Sequence, residues 1–339
     1  MRSTFGAIDE RQTSAPYTSS YRTVTANPPA SAGGKEETPT VKNPTRKVAT
    51  VVALIAAGAV VMAMSASATS TKQSSIKSGG VLKVGWEQAF GETDNFDPTG
   101  EYLGDGWGVL TTEVKTLVGY EHAPGALGNK IVPDLATSVP RPTNGGLVYT
   151  FHLKPNIKFG PPVNRAITSK DFVTAMDRLA NPKDGGQYAF YYTVIKGWNA
   201  YAAGKAKSIS GITTPNPTTI VFHLTAPTGD FLYRMTMLAT GPQPAEVTNC
   251  FAGQPGKYGQ DLIATGPYML KGIENINISS CKTIKPDTQG YDGVTTYDVV
   301  RNPNWNPKID PYSKNYPNEI LWTVDSSDVD IYNKVEAGQ

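Results

Sequence analysis

The chain has 339 residues with a formal net charge of +2, and its 39% hydrophobic and 18% charged residues are typical of a globular protein. Residues 1–47 hold seven of the 31 basic and four of the 29 acidic residues, so the rest of the chain has a net charge of −1. The sequence therefore lacks the basic field that binds nucleic acid.

The first 47 residues are rich in Ser, Thr, Pro and Ala and show no hydrophobic periodicity. Such a segment buries too little apolar surface to fold. We predict a disordered tail at 1–47.

An uncharged stretch of 21 residues, VATVVALIAAGAVVMAMSASA, follows at 48–68. As a helix it would be roughly 31 Å long, which matches one bilayer core. Arg46 and Lys47 precede it, so we expect the tail to be cytoplasmic and the residues after the segment to be exported. Small residues at 66–68 resemble a signal-peptide cleavage site, and both cleavage and a retained transmembrane anchor remain open.

Beyond a polar linker at 69–80, the sequence predicts five short strands rich in aromatic and β-branched residues. They are VLKVGW (81–86), LVYTFHL (147–153), TTIVFHL (218–224), YDVVRN (297–302) and EILWTVD (319–325). Long irregular or helical stretches separate them. This order predicts a mixed α/β or α+β body at 81–339 rather than a sandwich with regular turns.

The segment 147–179 predicts a strand, a loop and a helix that pack on one core. Its apolar residues alternate at Leu147, Tyr149, Phe151 and Leu153, which gives the strand one buried face. Thr168 stands three residues before Asp171, the spacing of a capping box, so a helix is predicted over 168–180.

Three more helices are predicted, at 187–203, 228–239 and 328–335. The second has Phe231, Met235 and Leu238 on one side, which indicates a core-facing stripe. The first contains the aromatic run QYAFYYTVIKGWNAY (187–201), and tyrosine and tryptophan suit both a core and a cleft for partly apolar ligands.

Cys250 and Cys281 are the only cysteines of the chain, and neither follows the apolar segment, so no lipid-bearing cysteine stands at the membrane exit. In an exported protein the pair favours a disulfide over a metal site. Closing a loop of about 32 residues would destabilise the unfolded chain by roughly 3–4 kcal/mol. Two unpaired buried thiols are the alternative.

Motifs for a nucleophile elbow, a metalloprotease helix, a phosphate loop or paired-cysteine zinc sites do not occur in the sequence, which disfavours a secreted hydrolase. His152 and His223 stand in matching FHL phrases on two predicted strands, and two neighbouring imidazoles are able to hold a metal ion. No third ligand is evident. We therefore favour outward-facing strand positions for both histidines.

Eight phrases occur in the order found in the extracellular solute-binding proteins of peptide ABC importers, the oligopeptide- and dipeptide-binding family, which residues 80–339 resemble. They are FDP (96–98), VPDLATSV (132–139), GLVYTFHLKPNIKFG (146–160), ITSKDFVTAMDRL (167–179), TIVFHLTAPTGDFL (219–232), ATGPYML (264–270), VVRNPNW (299–305) and VDIYNKVEAG (329–338). GPPVNRA (160–166) departs from the family's usual Asp-Gly turn. The phrases match the first lobe of a two-lobed periplasmic-binding-protein-like clamp, so we expect the second lobe to be missing from this sequence.

This resemblance implies a clamp that closes on a peptide and delivers it to a membrane permease with its ATPase subunits, without a cofactor or a catalytic residue. The ligand contacts it suggests are Glu87, Gln88, Ala89, Phe90, Tyr188, Tyr192 and Tyr268, with Asp97 and Pro98 as a structural turn. A receptor for nickel or another small solute and a membrane-tethered sensor with the same fold remain alternatives.

Overall fold

The computed structural model describes residues 77–87, 89–285, 289–325 and 327–339. The predicted tail at 1–47, the apolar segment at 48–68 and most of the linker lie outside these ranges. Within them, no helix has the length and apolar character needed to cross a membrane.

Nine strands and six helices are assigned in the described part of the chain, with several short 3₁₀ turns between them. The strands are β1 Val81–Glu87, β2 Val118–Tyr120, β3 Ile131–Pro133, β4 Val148–His152, β5 Ile212–Asn216, β6 Thr219–His223, β7 Tyr268–Leu270, β8 Thr296–Arg301 and β9 Glu319–Asp325. The helices are α1 Gly104–Leu110, α2 Ser169–Ala180, α3 Trp198–Ala202, α4 Phe231–Arg234, α5 Ala245–Thr248 and α6 Asp328–Glu336.

The strands form a four-stranded sheet of order β1-β9-β8-β7, a three-stranded sheet of order β4-β6-β5 and the β2-β3 pair. β1 and β9 run parallel, whereas the other strand pairs are antiparallel. All five predicted strands are present, so the mixed α/β class expected from the sequence is confirmed.

The predicted strand, loop and helix of 147–179 are confirmed. Tyr149, Phe151 and Leu153 are buried on the alternating face of β4. A capping box begins α2, in which the Asp171 carboxylate accepts a hydrogen bond from the Thr168 backbone N–H at 2.7 Å. The buried face of α2 and the buried face of β4 belong to the same hydrophobic core.

Two predicted helices are shorter than the sequence suggested. The helix expected at 187–203 is a 3₁₀ turn and the separate helix α3, because Ile195 forms an isolated bridge to Leu224, just after β6, and Gly197 adopts a φ of +81°. The helix expected at 228–239 is reduced to α4, since Met237 has an extended backbone. Its apolar stripe is nevertheless buried, as predicted.

A disulfide joins Cys250 and Cys281, whose Cα atoms lie 5.1 Å apart. It connects the 3₁₀ turn after α5 with the loop that precedes β8. The two thiols are therefore not the unpaired buried groups that were the alternative.

The two histidines of the FHL phrases do not form a pair. In the β4–β6 register, His152 is opposite Thr219 and His223 is opposite Val148. The imidazoles thus stand four residues apart along the ladder, about 13 Å. His152 is exposed and accepts or donates one hydrogen bond to the Thr219 hydroxyl at 3.1 Å, so the metal pair considered from the sequence is ruled out.

Candidate functional site

The candidate site begins at the carboxyl ends of the parallel strands β1 and β9, where Glu87 lies opposite Asp325. Ligands of open α/β sheets bind outside the carboxyl ends of the strands. Glu87 and Ala89 are exposed there, and the Ala89 N–H donates to the Glu87 carbonyl oxygen at 2.7 Å. Gln88, a third predicted contact, lies outside the described residues.

Phe90 turns into the core instead of facing a ligand. Its ring packs edge-on against Trp86 at 5.5 Å, Phe96 at 5.6 Å and Tyr291 at 6.4 Å between centroids. Only 9% of the residue is exposed. The ring is buried because the aromatic core offers it more apolar contact than the loop surface does, and the ligand contact proposed for Phe90 stays a prediction.

The loop after β1 contains a strained turn in which Asp94, Asn95 and Phe96 all have left-handed backbone angles, with φ of 54°, 53° and 59°. A non-glycine residue pays roughly 1–2 kcal/mol for this conformation. The segment that includes Gly259 packs against the turn so closely that a Cβ at that position would lie 1.9 Å from the Asn95 carbonyl oxygen. The surrounding backbone therefore enforces the turn, as is common at ligand-binding sites.

Glu101 closes this loop. Its carboxylate accepts hydrogen bonds from the Thr93 N–H at 3.1 Å, the Thr93 hydroxyl at 3.1 Å and the Leu103 N–H at 2.9 Å. Burial raises the pKa of Glu101, and these hydrogen bonds oppose the rise. The buried carboxylate sets where the chain leaves the loop and enters α1.

The predicted structural turn at Asp97 is anchored by an ion pair. Arg178 from α2 donates to the Asp97 carboxylate at 2.9 Å and also to the Thr99 hydroxyl at 3.0 Å. The side chains of Arg178 and Asp97 are 5% and 1% exposed. Helix α2 thus holds the loop after β1 in place at Asp97 and Thr99.

Beyond the loop lies a group of aromatic side chains that we call the aromatic surface, namely Tyr102, Trp107, Tyr188, Phe190 and Tyr191. Tyr102 stacks on Tyr188 with 5.3 Å between ring centroids and 16° between planes, and Trp107 meets Tyr188 edge-on at 5.3 Å. The Tyr188 hydroxyl donates to the Tyr102 carbonyl oxygen at 2.9 Å. Tyr102 and Phe190 are 53% and 61% exposed, so the rings offer a contact face to solvent.

Two other predicted contacts are buried side chains. The Tyr192 residue is 0% exposed and its hydroxyl donates to the Arg234 carbonyl oxygen at 2.6 Å. Tyr268, at 3% exposure, donates to the Pro317 carbonyl oxygen at 3.0 Å. Both hydroxyls donate to carbonyl oxygens inside the protein, so these rings support the fold, and the ligand contacts proposed for them stay predictions.

Tyr102 and Trp107 are not among the contacts predicted from the sequence. Their aromatic character stands out in EYLGDGWG (101–108), but only the folded loop brings them to Tyr188, more than 80 positions away. Of the predicted contacts, Glu87 and Ala89 are exposed where the loop begins, and Tyr188 is half-buried in the aromatic surface.

A family model described as "Bacterial extracellular solute-binding proteins, family 5 Middle" matches residues 130–339, more than half of the chain. The dipeptide-binding protein of Lactococcus lactis subsp. cremoris is 30% identical over 127 residues, which is 37% of this chain and 23% of that protein. Di/tripeptide-binding protein 4 of Pseudomonas aeruginosa is 28% identical over 133 residues, or 37% and 24% of the two chains.

Solved structures with the same fold include clavulanic acid biosynthesis oligopeptide binding protein 2, with a TM-score of 0.63 and 24% identity over 78% of this chain and 43% of that one. Listeria monocytogenes OppA bound to peptide gives a TM-score of 0.57 and 18% identity over 76% of this chain and 45% of that one. The chain thus spans less than half of either structure, in keeping with a single lobe. It belongs to the bacterial extracellular solute-binding proteins of family 5.

Proposed function

We propose that this chain forms the first lobe of a solute-binding component that captures dipeptides or oligopeptides for an ABC importer. The observation that carries the proposal is the aromatic surface at the end of the loop that follows β1. The printed names of the relatives, which are peptide-binding proteins, point to the same ligand class.

The aromatic surface suits the side chains of a peptide, and the end of β1 suits its main chain. Exposed rings such as Tyr102 and Phe190 offer apolar area and polar edges that tolerate varied side chains. β1 is an edge strand of its sheet, and an extended peptide is able to add to such an edge through main-chain hydrogen bonds.

Capture by a clamp requires a second surface. A ligand that contacts both lobes stabilises the closed state, and that shift in population is the signal a membrane partner reads. We infer that the partners are a permease and its ATPase subunits. The family consists of solute-binding proteins, which are not enzymes, so binding rather than turnover is the proposed activity.

Calorimetric titration of the 339-residue chain with a pool of dipeptides to pentapeptides tests the ligand class. We expect saturable heat with the peptides and none with free amino acids or with Ni²⁺ at equal concentration. A single lobe leaves the polar groups of the ligand exposed to water, so it buries less of the ligand than a closed clamp does. We therefore expect dissociation constants nearer millimolar than micromolar. Saturable heat with Ni²⁺ alone would replace the peptide proposal with the nickel-receptor alternative.

The family description implies an extracytoplasmic location. We propose in addition that residues 48–68 carry the chain across the cell membrane, as a retained anchor or as a segment cleaved after export. Protease added to intact cells should then degrade residues 77–339 and spare a tag placed before residue 1. Protection of the whole chain would contradict this orientation.

A further inference from the structure

A cavity of about 360 Å³ opens beside the aromatic surface. Its walls come from α1, β2, the 3₁₀ turn at 189–192 and the segment around α4. Four of the lining side chains are aromatic: Trp107, Tyr120, Tyr191 and Tyr233. Two of these, Trp107 and Tyr191, also belong to the aromatic surface, so the cavity continues the candidate site.

The rings on the outer side of the cavity are available to a ligand. Tyr120 and Tyr233 are 42% and 50% exposed, with 6.4 Å between their ring centroids. Aromatic pairs favour offset or edge-on contacts at 4.5–7 Å, which an inserted ring can make with several walls at once. A cavity of this size is at the small end of ligand pockets and suits one side chain rather than a whole peptide.

The charged groups at the cavity are paired with each other. The Asp230 carboxylate binds the Arg234 guanidinium through Nε at 3.1 Å and Nη2 at 3.0 Å. Arg234 also donates to the Tyr191 carbonyl oxygen, and its guanidinium lies over the Tyr191 ring with 5.4 Å from Cζ to the centroid. The pair is neutral in sum, so a charged occupant would lose hydration without gaining a free counter-ion.

We propose that this cavity is a subsite for one uncharged aromatic side chain of the bound peptide, that is, of phenylalanine, tyrosine or tryptophan. This inference rests on the proposed peptide-binding function and adds a preference to it. Its physical basis is the combination of aromatic walls, a self-paired Asp230–Arg234 bridge and continuity with the aromatic surface.

Small blocked amino acids test the cavity with a single side chain and without charged termini. Saturation-transfer NMR on the 339-residue chain would compare N-acetyl-phenylalaninamide with N-acetyl-leucinamide, N-acetyl-alaninamide and N-acetyl-lysinamide. We expect the phenylalanine probe to bind most tightly and the lysine probe to bind no better than the alanine probe. Equal binding of the phenylalanine and alanine probes, or of the phenylalanine and lysine probes, would overturn the inference.

Substitutions in the cavity wall test where the phenylalanine probe binds. Tyr233→Ala and Tyr120→Ala should each weaken binding of the phenylalanine probe about two- to tenfold, the size expected for one lost ring contact. Tyr233→Phe keeps the ring and should bind like the wild type. Tyr332→Ala removes a tyrosine that is 69% exposed on α6, outside the cavity lining, and serves as the matched control. Unchanged binding in both cavity variants would place the probe elsewhere and refute the subsite.

The outcomes separate this inference from the proposed function. If peptides bind but show no preference for an aromatic residue, and the phenylalanine probe does not bind, the subsite is refuted and peptide binding stands. If the probe binds at Tyr233 while the peptide pool gives no heat, the cavity is supported and the peptide proposal fails.

Discussion

Replacing Asp97 with alanine is expected to lower the free energy of unfolding by roughly 3–5 kcal/mol, the usual cost of removing one partner of a buried ion pair. Arg178 would remain 5% exposed without its carboxylate. Its remaining contacts are the hydroxyl of Thr99, the side-chain oxygen of Gln243 at 2.8 Å and the Tyr258 ring, with 5.1 Å from Cζ to the centroid. None of these neutralises the charge.

Urea titration of the Asp97→Ala variant and the wild type measures this loss. Lys130→Ala is the matched control, because Lys130 is 66% exposed in its ion pair with Glu121 at 3.3 Å. Exposed pairs contribute about 0–1 kcal/mol, so this variant should stay near the wild type. Similar losses in both variants would show that burial does not set the strength of the Asp97 pair.

The second large effect concerns Glu113, which lies in the core between the end of α1 and β8. Its Oε2 accepts a hydrogen bond from the Tyr297 hydroxyl at 2.6 Å. Burial raises the pKa of Glu113 to about 8, while hydrogen bonds from Tyr297 and the Leu270 backbone act in the opposite direction. The carboxyl group is therefore protonated in the folded protein at neutral pH.

The unfolded chain releases this proton near its ordinary pKa of 4.5, well before the folded protein does. Between pH 4.5 and 8 the folded state binds more protons than the unfolded state, so stability falls as pH rises. The stability contribution is fully present below pH 4.5 and is lost by pH 8, a total of about 5 kcal/mol at roughly 1.4 kcal/mol per pKa unit.

Glu113→Gln should remove this pH dependence because a glutamine does not titrate, while its amide oxygen still accepts from the Tyr297 hydroxyl. Urea-derived free energies at about pH 5 and pH 8 should differ by roughly 3–4 kcal/mol less in Glu113→Gln than in the wild type. The exposed Glu274→Gln should retain the pH dependence of the wild type. Equal pH dependence in wild type and Glu113→Gln would contradict a protonated Glu113.

Regular elements were predictable where the local pattern was strong. β9 occupies the predicted residues 319–325, and α2 follows the capping box at Thr168. A single helix at 187–203 did not form, because Ile195 bridges to Leu224, more than twenty residues away, and Gly197 has a left-handed backbone.

The candidate site was predictable only at its ends. Glu87 and Ala89 are exposed and Tyr188 is half-buried, and the ligand contacts proposed for them stay predictions. A sequence does not distinguish an aromatic residue that faces a ligand from one that faces the core. The burial of Tyr192 and Tyr268 is therefore evident only in the folded structure. The contacts of Tyr188 with Tyr102 and Trp107 join residues that are far apart in the chain, and no short sequence motif indicates them.

Calorimetric titration of the Tyr188→Ala variant tests whether peptides bind on the aromatic surface. Tyr188 stacks on Tyr102 and meets Trp107, so its removal takes away the ring that joins the two. We expect the peptides that give saturable heat with the wild type to bind Tyr188→Ala at least about fivefold more weakly, because it lacks an aromatic anchor. Tyr332→Ala should bind as the wild type does. Peptide affinity unchanged in Tyr188→Ala, with the variant folded, would contradict the claim.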